Sequence, residues 1–316
     1  MSSRRLSGME SDFPRKEGIS VTPKTVQILG WLSVFGSTFC FYLATASIRW
    51  ARAFVAVDPA YFVFGRFFLG FLTVCVLLVA KRQTLRPRRF DLLIGRAVAN
   101  CIAVYCFYKA VAVTSVAEAN ILNMTYPVFI AVFSWVFLKE QRDPVAAAMV
   151  GAAFAGVWMV LSPGEIGLAR GNLWGLGSGF SAAFAIVYLN MSRRHHDSET
   201  ILFYVFGLGT AMIFLAFRRM IHYPDPEEFR WLFLCSALGI AGQYLLTLGF
   251  RYVTAVEGSI ISSTRILLAA LLGPIIAGDP PLTLVGGFGA LLIFSANVLL
   301  AVRRARGKGP DQRKLA

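Results

Sequence analysis

Along this chain apolar residues come in long blocks, and polar or charged residues are largely confined to short gaps between them. The blocks Tyr61 to Ala80 and Ala117 to Leu138 are each near the ~20 residues a helix needs to cross the hydrocarbon core of a bilayer. They are continuously apolar instead of alternating with period two. This predicts α-helices and not a barrel, because in lipid every backbone amide and carbonyl must find its partner inside the protein. Spans are predicted near residues 28–48, 60–80, 92–113, 117–138, 144–162, 172–192, 200–217, 231–250, 256–277 and 282–302. The fold class expected is an all-α membrane protein of about ten transmembrane helices.

The pattern also repeats. Ser115 to Asn123 lines up without gaps on Thr254 to Ser262, and the same register carries Glu140 onto Asp279. Near the start of each half, Gly36-Ser37 with Phe39 and Arg52 matches Gly177-Ser178 with Phe180 and Arg193 in a register two residues different. Charged residues inside apolar spans are rare, so such coincidences are informative. The expected organisation is a disordered cytoplasmic tail over 1–27, five-helix repeats over 28–162 and 172–302, and a basic cytoplasmic tail over 303–316. Five is odd, so the second repeat enters the membrane from the opposite side and the two are inverted about an axis in the membrane plane.

Composition supports the pattern: 57% of residues are hydrophobic, 15% are charged and the mean hydropathy is +0.63, outside the range of soluble domains. The net charge of +14 sits in short runs between apolar blocks, which argues for loop charge and against a nucleic-acid surface. With the amino terminus inside, about 21 of the 31 Lys and Arg fall on the cytoplasmic side and about seven on the other. Both termini are therefore expected in the cytoplasm, in the inner membrane of a cell. The five cysteines lie in apolar blocks without metal-site or paired spacing, and no disulfide is implied. The polar first 27 residues carry no signal-peptide pattern.

The fourth-span motif runs Thr114-Ser115-Val116-Ala117-Glu118-Ala119, then Tyr126-Pro127-Val128-Phe129, and ends at Leu138-Lys139-Glu140. Its counterpart runs from Glu257-Gly258-Ser259 through Arg265 and Gly273 to Gly278-Asp279. Over roughly residues 28–302 the chain resembles the EamA-type branch of the drug/metabolite transporter superfamily, ten-helix proteins with two repeated halves. Tyr126, Lys139 and Asp279 stand where that family usually has Glu, Gly and Glu. The resemblance implies a transporter and leaves its cargo open.

Candidate substrate-binding residues follow from polarity at membrane depth. Asn120, Asn123, Pro127, Ala131 and Ser134 share one face of the fourth span, and in repeat register Asn120 and Asn123 fall on Ser259 and Ser262. Two such stripes could line a watery cavity or could bind helix to helix. Arg265 lies well inside the ninth span, where a guanidinium could hold a carboxylate or phosphate bidentately or serve a structural pair. Gln243, Asn100 and Tyr105 are further pathway candidates. Arg66 and Arg96, nearer span ends, are expected to snorkel. Glu118 and Glu257 open the fourth and ninth helices, as proton-coupling acids or as charges that complement the helix dipole.

Other features point to structure. Trp31, Trp50, Trp174 and Trp231 sit near span ends as interfacial anchors. The pairs Gly151 with Ala155, Ala152 with Gly156 and Gly286 with Ala290 predict that the fifth and tenth spans pack against each other or against another copy, a homodimer. His195, His196 and Asp197 lack a third spaced ligand, so no metal and no cofactor is expected. No phosphate-cradling loop occurs. The leading expectation is a secondary carrier of a small polar metabolite, with the lipid bilayer as its surroundings. The alternative is a membrane-embedded enzyme acting on lipid or isoprenoid substrates, against which the acids in the loops are few and scattered.

Overall fold

A computed structural model describes residues 23–137, 144–161, 170–253 and 255–307. Its helices are α1 (Pro23–Ala51), α2 (Pro59–Ala80), α3 (Phe90–Val113), α4 (Val116–Asn123), α5 (Tyr126–Phe137), α6 (Pro144–Leu161), α7 (Arg170–Ser192), α8 (Ser198–Phe217), α9 (Pro226–Tyr252), α10 (Ala255–Leu272) and α11 (Leu284–Gly307). Among the described residues, nine segments are long and apolar enough to cross a membrane, and Ala147–Val160 of α6 is a shorter apolar helix. With α4 and α5 forming the fourth span, this is the expected set of ten.

Local chemistry sets several helix starts. Asp58 accepts from the Ala60 amide with Pro59 at the first helical position, and Asp225 and Glu228 form a capping box at the start of α9, with Pro226 in its first turn. Helix also takes up residues 23–27 and 303–307, which the sequence reading gave to the tails, because helices continue past the hydrocarbon once started. The remainder of both tails, and Glu140, lie outside the described residues.

The packing obeys the expected twofold. Helix α1 lies along α9 as α7 lies along α3, and α1 meets α10 as α7 meets α4 and α5. The axis crosses the α2–α8 contact. There the α-carbon of Gly70 faces the Phe206 ring and that of Gly209 faces the Phe67 ring, each leaving about 2.6 Å where a Cβ would stand. Residues 67 and 70 map onto 206 and 209 in the same register that relates Ser115 to Thr254. Two antiparallel copies of one unit thus grip each other reciprocally.

The fifth and tenth spans pack against each other within the chain. A Cβ on Gly156 would stand 2.6 Å from the Gly289 carbonyl, and one on Gly289 equally close to the Gly156 carbonyl. Only backbone fits at such a seam. Gly156 was expected at this contact; Gly289 takes the place assigned to Gly286, which faces Thr283 on its own chain segment.

One departure from the sequence reading shapes the centre of the bundle. The fourth span is not continuous: α4 stops at Asn123 and α5 begins at Tyr126. Pro127 has no N–H to donate to the carbonyl of Asn123 four residues earlier, and its ring crowds that carbonyl, so the helix parts there. The freed Met124 carbonyl accepts from the Asn297 amide of α11 at 2.8 Å, and Thr125 closes onto the Leu122 carbonyl at 2.6 Å. The ninth span loosens similarly into a π turn over Gly273–Ala277, where Pro274 removes a donor, and Trp50 donates to the Ile276 carbonyl at 2.6 Å.

Candidate functional site

The break in the fourth span places Asn123 at its edge, and α10 brings Arg265 to it. Arg265 is 6% exposed and donates from its guanidinium to the Asn123 side-chain carbonyl. The Asn123 amide donates in turn to Ser178 Oγ at 3.0 Å on α7, and Ser178 donates to the Gly175 carbonyl at 2.6 Å. Ser37 makes the equivalent bond to the Val34 carbonyl in the first repeat, at 2.9 Å. The repeats differ one step further out. Where the first repeat has Asn123, the second has Ser262, whose shorter side chain leaves a buried hydroxyl with no hydrogen-bond partner in the described structure.

Arg265 is also held by rings. Its guanidinium carbon lies 5.4 Å from the centroid of Phe107 on α3 and 5.9 Å from that of Phe41 on α1. A charge at membrane depth costs about 2.5–3.5 kcal/mol on insertion scales, and ring faces recover a part of that.

A second cation shares the site. Arg66 on α2 is 7% exposed, donates to the Tyr108 hydroxyl at 3.1 Å, and places its guanidinium carbon 5.4 Å from the same Phe41 centroid. The expectation that Arg66 snorkels to the headgroups is corrected. Gly239 on α9 admits its side chain, since a Cβ there would meet Arg66 at 3.1 Å, and the aromatic pair draws the charge inward. Arg96 is also buried, at 5% exposure, instead of reaching the interface. It lies eleven residues before Phe107 on α3, about 16 Å along the axis, and belongs to a different level of the bundle.

The other sequence candidates distribute around this centre. Asn120 is fully buried and donates to Thr45 on α1 at 3.1 Å and to the Val116 carbonyl at 2.8 Å, so it ties α4 to α1. Gln243 is half-buried on α9 next to Gly242, which lies against the Phe41 ring. Asn100 is half-buried on the face of Phe107, two helical turns away. Tyr105 turns elsewhere, packing on Trp174 and Phe217 with centroids 5.9 and 4.8 Å away. Glu118 closes a capping box with Ser115, the dipole-complementing role. Ser259 and Glu257 lie on α10, with side chains outside the described set.

Sequence reasoning missed Phe41, Phe107 and Tyr108. They are apolar-block aromatics with no local signal, and only the cations they face give them away.

At one end of the bundle the halves are clasped by an acid. Asp279 accepts from the Ala117 amide at 3.1 Å at the start of α4, with Arg49 at 3.7 Å. It is 4% exposed, and burial pushes its carboxyl above the usual range against the pull of the Ala117 amide and Arg49. A cavity of about 340 Å³ opens at the end of α1, lined by Arg52, Asp58, Phe62 and Lys109, and does not include Arg265. At the opposite end His196 donates from Nδ1 to the Ser192 carbonyl at 3.1 Å while Nε2 accepts from the Arg88 and Arg89 amides at 3.0 and 3.2 Å. It is a staple between two loops.

Ten spans in two inverted five-helix repeats, with a polar centre at a broken helix between them, define the architecture of a membrane transporter. The EamA-like transporter family matches over residues 28–162 and 169–302, and the chain belongs to that family. An uncharacterized transporter of Helicobacter pylori is 29% identical, over 79% of this chain and 89% of that protein. The pseudopaline exporter CntI of Pseudomonas aeruginosa is 25% identical over the same shares, and human solute carrier family 35 member G1 is 24% identical over 87% of this chain and 80% of that one. A solved crystal structure at 20% identity covers 91% of this chain and all of its own with a TM-score of 0.57, a likeness of fold.

Proposed function

We propose that this transporter is a secondary-active carrier that moves a small polar metabolite across the inner membrane by alternating access, with both termini in the cytoplasm. The observation that carries the reading is the buried Arg265 guanidinium bonded to Asn123 at the helix break. A guanidinium there is a donor suited to an anionic group, one helical turn from Ser262, where the two repeats meet. Among amino acids, nucleosides and organic acids, this favours solutes that bear an anionic group. The family membership and the relatives named as an exporter and a solute carrier support carriage across a membrane.

Energy comes from a proton gradient or from the solute's own gradient, and the two five-helix halves rock about the centre. The test is uptake and efflux of labelled solutes in sealed proteoliposomes. Saturable flux that trans-loaded solute accelerates is expected. Non-saturable equilibration through an open pore would remove alternating access, and solute turnover in detergent without any gradient would remove the carrier reading.

A further inference from the structure

We infer that Arg66 and Arg265 form one two-cation receptacle built around Phe41, and that the transported solute is a dianion. The inference rests on the carrier reading and deepens it by naming the substrate's charge.

Both guanidinium carbons lie over the Phe41 ring, at 5.4 and 5.9 Å from its centroid, so they are no more than 11.3 Å apart. Both side chains are more than nine-tenths buried. Neither has a carboxylate within ion-pair distance among the described side chains. Among the described residues, each Nε is buried without a hydrogen-bond partner, and so is the Ser262 hydroxyl one turn from Arg265. The partners that are present, a phenol, an amide and three ring faces, are all neutral.

Two like charges at this separation in a poorly solvated site repel each other and each lacks a counter-ion. A structural arginine in a membrane bundle normally finds a carboxylate or a row of backbone carbonyls. Among the described residues this pair finds neither. A solute with one negative charge would leave one guanidinium uncompensated, whereas two negative charges on a small solute satisfy both. The free Nε–H groups and the Ser262 hydroxyl supply the donors such a ligand needs.

Arg66 and Arg265 come from different repeats. A dianion therefore ties the two halves together, and it holds them together most firmly when both cations face it at once. The bound solute itself thus becomes the link on which the rocking motion turns.

The test uses the full-length purified protein and matched probes: succinate and glycerol 3-phosphate as dianions, succinamate as the monoanion of the same skeleton. Solute-induced thermal stabilisation reports binding to the folded state. Succinate or glycerol 3-phosphate is expected to act at concentrations about tenfold lower than succinamate, the effect of one further charge-assisted contact. Which of the two acts distinguishes a dicarboxylate from a phosphate ester. Arg66→Gln should abolish the difference between dianion and monoanion, and Arg66→Lys should retain it.

Equal action of succinamate and both dianions on the wild type, or no action by either dianion, overturns the inference whether or not the variants fold. A preference that persists in a folded Arg66→Gln protein also overturns it. Flux of a neutral or zwitterionic solute that depends on Arg265 would leave the carrier reading standing and remove only the dianion.

Discussion

Arg265 on α10 donates to the side-chain carbonyl of Asn123 at the end of α4, so the two repeats are joined at equivalent helices. The bond exists because Pro127 breaks the fourth span, leaving an amide side chain at the edge of a helix that would otherwise be sealed.

Arg265→Ala is expected to abolish transport in proteoliposomes while insertion and expression persist. The melting temperature should stay level or rise, because removing a buried charge relieves a cost of about 2.5–3.5 kcal/mol. Wild-type flux in the variant would reduce Arg265 to a packing residue.

Asn297→Leu should lower stability by about 1 kcal/mol, since the Met124 carbonyl loses the amide that satisfies it at the break. Thermal unfolding in detergent measures it. A variant as stable as the wild type would show that some other group takes up the carbonyl.

Gly70→Ala and Gly209→Ala should each destabilise by about 1–3 kcal/mol, the usual cost of overpacking. The added methyl meets Phe206 in the first and Phe67 in the second, at about 2.6 Å. Shrinking the facing ring, with Phe206→Leu in the Gly70→Ala background, should restore part of the loss. Additive losses in that double variant would mean that the two residues do not touch.

Asp279 gives a pH dependence of defined sign. Its carboxyl is raised by burial, so the folded state holds a proton more tightly than the unfolded state between the ordinary Asp value and the raised one. Stability of the wild type relative to Asp279→Asn should therefore grow as pH falls from neutral through that window and fade as pH rises above it. Parallel melting curves of the two proteins would show a constant gap if the carboxyl were not perturbed.

Much of the architecture was legible in the sequence. Ten apolar blocks, the register joining the repeats and the contact of the fifth and tenth spans carry through, with Gly289 in place of Gly286, because span length and close backbone approach are written locally. The site was half legible. Arg265, Asn123 and Ser262 of the candidate site were singled out because polar groups in an apolar block stand out. Arg66 was misjudged, since position along a span does not tell whether a long side chain turns outward to the headgroups or inward to a ring. Phe41 and Tyr108 were invisible for the complementary reason: an aromatic in an apolar block looks like any other. The break at Met124-Thr125 could have been read from Pro127, whose effect four residues upstream is geometric.

The reciprocal contact of Phe67 and Gly70 with Phe206 and Gly209 has a bearing on how such a molecule can diverge. Duplicated segments ordinarily drift apart independently, but here each copy is the mould into which the other is cast. A bulkier residue at one glycine calls for a smaller ring in the opposite copy, so a change tolerated on one side of this crossing needs its match on the other.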